Sequence, residues 1–281
     1  MKRIILCLIA IFALAPFSYG QMQEIGVVSY TFRDSFSKDV PGTLDKIKAM
    51  GITNIEFSSL FGKTAQELKD LLDARGMRCT SLGVSYNDLL NKSEQVISNA
   101  KTLGASFVRI GSIPHSGPLT EEVVKKAADD FNSFGALLKK NGLEFCFHNH
   151  AVEFLPAKGL INGTFYDYLI QKTNPDYVSF EIDIYWVYYP GHDPVALLKK
   201  YPDRFKLMHL KDLKKGVARN PEGKGSSADY NVAVGTGQLD IKAILKAARA
   251  TSIKYFYLED ESSSVDQQVP QSLKYLKEIS N

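Results

Sequence analysis

The sequence predicts a single (β/α)8 TIM barrel. Two observations predict it directly. Strand-like apolar segments alternate with helix-like segments, which calls for a parallel sheet. The alternation repeats eight times in about 255 residues, the size at which such a sheet closes. A third observation disfavours the open doubly wound alternative, because no Gly-rich turn follows the first strand.

The first strand is expected at 25–30, followed by a helix at 41–50 with apolar residues at helical spacing. A strand at 54–57 leads to a helix at 64–75, stopped by Gly76. A strand at 78–84 and a helix at 93–103, stopped by Gly104, make the third unit. The fourth pairs 107–111 with a long helix at 121–140 that Asn141 and Gly142 close. Strands at 143–148, 178–183, 205–210 and 255–259 alternate with helices at 165–172, 194–200, 241–250 and 267–279. The segment 213–234 after strand seven breaks the rhythm. In a barrel it belongs to the C-terminal face, as a lid over the site or as a solvated loop.

Residues 1–20 read as a secretory signal peptide: a basic start at Lys2 and Arg3, an apolar run over 4–17, and small residues before a cut at Gln21. The expected mature domain is 21–281, periplasmic or secreted, without stable membrane insertion, since the run is short for a span. With 44% hydrophobic and 23% charged residues the composition is that of a globular domain. Removing Lys2 and Arg3 from the 34 Lys and Arg leaves 32 against 31 Asp and Glu, a net +1. No basic field remains to hold a nucleic acid. Cys79 and Cys146, both in predicted strands, read as buried thiols rather than a disulfide framework.

Chemistry-bearing residues gather at the ends of the late strands. Strand five ends in His148-Asn149-His150 with Glu153 beyond it; strand six ends in Glu181-Ile182-Asp183, with Tyr185, Trp186 and His192 following; strand seven ends in His209-Leu210-Lys211-Asp212; strand eight ends in Glu259-Asp260-Glu261. Side chains alternate along a strand, so His148, Asp183, His209 and Glu259 converge if their face is the barrel interior. Mixed imidazole and carboxylate ligands suit Mn²⁺, Zn²⁺, Co²⁺ or Fe²⁺. Lys211 shares a face with His209 and needs an anionic partner, for which Glu181 is the expected one. Tyr185 and Trp186 are candidates to stack on a sugar. As strand-end residues the ligands should add little to the core, so removing one is expected to spare the fold.

Together these segments resemble the sugar phosphate isomerase/epimerase family of xylose isomerase-like barrels. Residues 29–34 (SYTFRD) are similar to its first-strand motif, 147–154 (FHNHAVEF) to its YHNHxxEF segment, Asp183 to Val187 with 191–194 (GHDP) to DxYWV and GxDP, and 209–212 to HLKD. Gly235-Thr236-Gly237 matches a GxG ahead of strand eight. The resemblance implies a metal held by position 148, Asp183, His209 and Glu259. Position 148 is His where the family usually has Glu, so the strand-five role falls to His148 or to Glu153. Trp186 and Gly83 stand where relatives often carry histidine.

The implied activity is that of a metal-dependent sugar isomerase or epimerase, taking a proton next to a carbonyl through a metal-stabilised enediolate. Glu259 is the expected base, His148 or His150 the acid, and Lys211 the group that steadies the oxyanion. Substrate contacts are expected from Glu153, Tyr185, Trp186 and His192. The same first half-reaction serves a lyase or dehydratase acting on a keto-sugar or 3-keto-glycoside, and a non-catalytic sugar-binding barrel is the alternative from another class. The expected partner is a small carbohydrate, not nucleic acid; an oligomer is compatible with the sequence.

Overall fold

In the computed structural model, which describes residues 25–280, eight parallel strands close into a barrel. They are β1 (Ile25–Val28), β2 (Asn54–Phe57), β3 (Arg78–Val84), β4 (Phe107–Ile110), β5 (Glu144–His148), β6 (Val178–Asp183), β7 (Phe205–Leu210) and β8 (Tyr255–Leu258). Each lies beside its sequence neighbours, and β8 pairs with β1 to complete the ring. The leader expected over 1–20 falls outside the described residues. Among those described, no helix is long and apolar enough to cross a membrane.

Helices Val40–Ala49, Ala65–Asp73, Ser93–Leu103, Glu121–Lys140, Phe165–Lys172, Pro194–Lys200, Ile241–Ala248 and Val265–Ser280 each follow a strand. Local chemistry sets their ends. Thr64 with Glu67, and Thr164 with Asp167, form capping boxes that satisfy the first backbone N–H groups. Gly104 stops its helix at φ 75°, a left-handed conformation that a Cβ would strain.

Two packing layers result. Outside the barrel, helix residues bury against the sheet; Phe131, for example, lies 5.0 Å from Phe145 and 4.8 Å from Phe147 between ring centroids. Each such burial contributes roughly 1.5–3 kcal/mol. Inside the barrel, Phe107, Cys146, Leu207 and Tyr257 form a separate apolar cluster. Two residues further along the same strands stand Arg109, His148, His209 and Glu259, so the period of two converts an apolar floor into a polar top. Cys79 and Cys146 are free and buried as expected, and burial pushes the Cys79 thiol up to about 12.

The structure departs from the sequence reading at a few junctions. Strand β1 ends at Val28 because Ser29 turns inward, its hydroxyl accepting from Ser58 N at 2.8 Å, and Ser29–Phe32 and Arg33–Phe36 coil into short helical turns. Short helices Tyr86–Asn91 and Ile184–Tyr188 extend from β3 and β6. The first is capped by the Ser85 hydroxyl and the second by the Asp183 carboxylate.

The segment after β7 is anchored rather than loose. Asp212–Leu213 pairs antiparallel with Asn231–Val232, and the loop between them docks by Asn220 N on Tyr189 O at 2.8 Å. Asp212 itself is a brace. Its Oδ1 accepts from Leu213 N (2.8 Å) and Leu239 N (3.2 Å), and its Oδ2 from Gly235 N (2.9 Å) and Gly237 N (3.0 Å). A Cβ at Gly237 would collide with that carboxylate, which explains the GxG pattern. Asp212→Ala should strand four backbone donors and cost about 2 kcal/mol or more. Thermal denaturation checks this; an unchanged melting temperature would remove Asp212 as the brace.

Candidate active site

At the C-terminal end of the barrel the strands open into a cavity of about 470 Å³, in the range of small-molecule sites. Its wall includes His148 and His150 from β5 and its loop, Trp186, His209, Glu259 and Glu261. The sequence-predicted quartet comes together: one ligand atom each of His148, Asp183, His209 and Glu259 lie within 4.8 Å of one another, all four residues buried. Register explains the convergence, since Asp183 pairs with His209 across β6 and β7 while His209 pairs with Tyr257 on β8, two residues before Glu259.

His209 is the hub. Its Nε2 lies 3.0 Å from Glu56 Oε1 and 3.2 Å from Glu181 Oε2. Its Nδ1 lies 2.9 Å from Glu259 Oε2 and 3.9 Å from Asp183 Oδ2. Burial opposes its charge, but Glu181 and Glu259 raise its pKa well above the usual value, so in the absence of a cation the ring holds these carboxylates together. If Nε2–H donates to Glu56, the Nδ1 lone pair faces Asp183 and Glu259.

Asp183 does two jobs with its two oxygens. Oδ1 accepts from Tyr185 N (2.8 Å) and Trp186 N (3.1 Å), capping the short helix; Oδ2 is buried with no hydrogen-bond partner. An unpartnered buried carboxylate oxygen beside a histidine and a glutamate fits a divalent cation. Burial raises this carboxyl well above the normal range, while Lys211 opposes that shift.

His148 completes the set. Its Nδ1 is 3.1 Å from Glu181 Oε2 and its ring 4.6 Å from His209, and burial holds it neutral. His150 lies 4.8 Å from His148 and 5.3 Å from Trp186, with its pKa lowered by burial to about 4.

Several expectations need correction. Glu153 does not reach the cavity: its Oε2 accepts from His150 N at 2.8 Å, and burial pushes its pKa to about 7. It fixes the turn after β5, and the strand-five position is left to His148. Lys211 does not pair with Glu181. It contacts Glu261 and lies 3.7 Å from Glu259, its ammonium about equally far from Trp186 (5.1 Å) and Tyr185 (5.2 Å). Glu181 is committed lower in the barrel, among Arg109, His148 and His209. Lys211 is absent from the cavity wall, its ammonium facing Glu259 and Glu261 instead. Tyr185 is fully buried, its hydroxyl bonded to Ser226, and His192 packs on Phe154 at 5.1 Å; neither lines the cavity. The segment 213–234, expected as a lid or a solvated loop, contributes no residue to the wall.

Sequence reasoning missed Glu56 and Arg109 and gave Glu181 the wrong partner. Arg109 Nε lies 2.8 Å from Glu56 Oε1 and 3.4 Å from Glu181 Oε2. Burial disfavours the Glu56 charge, yet Arg109 and His209 overcome it and hold the carboxyl at about 2. Glu181 goes the other way, to about 7, raised by burial and by Glu56. The signal was a single charged residue inside each apolar strand, Ile55-Glu56-Phe57 and Val108-Arg109-Ile110. Buried charges occur in pairs.

Comparison with known proteins agrees with this architecture. An inosose dehydratase 1 from Bacillus cereus is 24% identical over 199 residues, covering 70% of this chain; the match spans 63% of that relative's length. A sugar phosphate isomerase/epimerase from Parabacteroides distasonis ATCC 8503 superposes with TM-score 0.74 at 24% identity, over 96% of this chain and 98% of that one. The IOLI protein, solved with a zinc atom, superposes with TM-score 0.71 at 13% identity, over 91% and 96%. Residues 44–279 match the family model described as xylose isomerase-like TIM barrel, and the chain belongs to that family.

Proposed function

We propose that the protein is a divalent-metal-dependent carbohydrate lyase of the dehydratase type, acting on a polyhydroxylated ketone. The observation that carries the reading is the convergence of His148, Asp183, His209 and Glu259, three of which, His148, His209 and Glu259, line a sugar-sized cavity. These four residues would hold the metal; the IOLI protein, which shares the fold, binds a zinc atom, which supports a metal in this protein. When bound, the ion polarises a substrate carbonyl and makes the neighbouring C–H acidic.

Glu259 takes the proton from the carbon next to the carbonyl. It suits the role by place: it lines the cavity, and the Lys211 ammonium 3.7 Å away favours its ionised form against burial. The other carboxylate on the wall, Glu261, is committed to Lys211. With histidine rather than glutamate on β5, Glu259 is left as the carboxylate free to move protons. After taking the proton, the Glu259 carboxyl can pass it to a hydroxyl on the adjacent carbon, which leaves as water. The enzyme then returns to its starting state. The inosose dehydratase relative supports elimination.

Isomerisation or epimerisation is the second reading. A proton returned to the opposite face of the same carbon would invert its configuration, and one returned to the neighbouring carbon would move the carbonyl. Action outside the cytoplasm, on a free rather than phosphorylated sugar, belongs to the same proposal and rests on the leader-like N-terminus. Products separate the two readings. The Zn²⁺-loaded protein should convert 2-keto-myo-inositol or a related ketone to a product lighter by one water in mass spectrometry. A product of unchanged mass but altered configuration would overturn elimination in favour of epimerisation.

A further inference from the structure

We propose that Arg109 forms a binding subsite for two adjacent oxygens of an uncharged substrate. The inference rests on the carbohydrate reading for its substrate class, but on a separate set of residues. The carboxylate contacts of Arg109 run through Nε, to Glu56 and Glu181, and no described residue accepts a hydrogen bond from Nη1 or Nη2. Arg109 lines the cavity, and its side chain is 10% exposed. The two nitrogens are admitted by glycines on both sides. A Cβ at Gly83 would stand 2.9 Å from Nη2, and one at Gly111 would stand 2.8 Å from Nη1.

The planar fork of a guanidinium presents parallel N–H groups that match two neighbouring oxygens. The subsite's charge argues for hydroxyl or carbonyl oxygens over an anion. Glu56 and Glu181 already face the guanidinium, and Glu259 and Glu261 share the cavity with it. Arg109 is the sole Lys or Arg among the described wall residues, so a phosphate would meet one compensated cation and several carboxylates. The ligand class is therefore a neutral keto-polyol, a free sugar or cyclitol ketone, rather than a sugar phosphate.

Arg109→Met removes the guanidinium from Glu56 and Glu181, leaving them to His209, and is expected to fold poorly. Gly111→Ala is the decisive variant, because its new methyl group meets nothing within 4 Å except Nη1 and displaces the fork without removing its charge. Calorimetric titration of wild type and Gly111→Ala with 2-keto-myo-inositol, fructose and fructose 6-phosphate, with metal content measured on the same samples, tests the subsite. Wild type should bind a neutral ketone more tightly than the phosphate ester. Gly111→Ala should weaken the neutral ligand about tenfold or more, the scale of one lost charge-assisted hydrogen bond, with metal content unchanged. Equal affinity in the variant, tighter binding of the phosphate ester, or no neutral ligand bound by wild type would overturn it. Gly111-sensitive sugar binding without any metal would sink the metal centre and leave the subsite standing.

Discussion

Glu259→Gln is expected to lower turnover by at least about a hundredfold at saturating metal, the scale of losing a positioned general base. The amide keeps the side chain's shape between His209 and Lys211, 2.9 and 3.7 Å away, but carries no charge and takes no proton. The barrel should survive, since β8 ends at Leu258, one residue short of the substitution. Substrate binding should fall far less than turnover. The check is kcat and KM on metal-loaded protein, and a variant with wild-type kcat would remove Glu259 as the base.

His209→Ala should abolish metal binding and also destabilise the fold, contrary to the sequence-based expectation that a strand-end ligand is dispensable for folding. The imidazole is 1% exposed and faces Glu56, Glu181, Asp183 and Glu259. Taking it out leaves these carboxylates to Arg109 and Lys211 alone. Stripping a buried charge of its partner costs roughly 3–5 kcal/mol. His209→Gln, which retains a donor of similar reach, should recover part of that stability without the metal. Metal content and denaturant unfolding of both variants decide the matter; stoichiometric metal in folded His209→Ala would remove it from the ligand set.

The strands were legible because those of a closed parallel barrel are buried on both faces and read as short apolar runs between turns. Period two then placed His148, Asp183, His209 and Glu259 on one interior face, and the cluster followed from strand order alone. What stayed hidden depends on depth within the barrel. Glu181 and Lys211 share the interior face, but the first sits below the quartet with Arg109 and the second beside Glu261, a difference in level that a linear pattern does not record. Glu153, Tyr185 and His192 follow the strands, where alternation no longer predicts direction. Helical turns at Val152–Phe154 and Ile184–Tyr188 carry the first two away from the cavity. Asp183 shows how one residue satisfies both a structural and a chemical reading, a helix cap through Oδ1 and a ligand-ready oxygen through Oδ2.

The proposed activity depends on a single centre that loosens a proton next to a substrate carbonyl. Its most direct test is solvent deuterium incorporation, with Zn²⁺-loaded protein incubated in heavy water with keto-polyols and the recovered substrate and product read by NMR. Deuterium is expected at the carbon adjacent to the carbonyl, and is lost when Glu259 is replaced by Gln and when the metal is removed. Binding of those ketones with no exchange at that carbon would contradict it and make the barrel a sugar-binding protein.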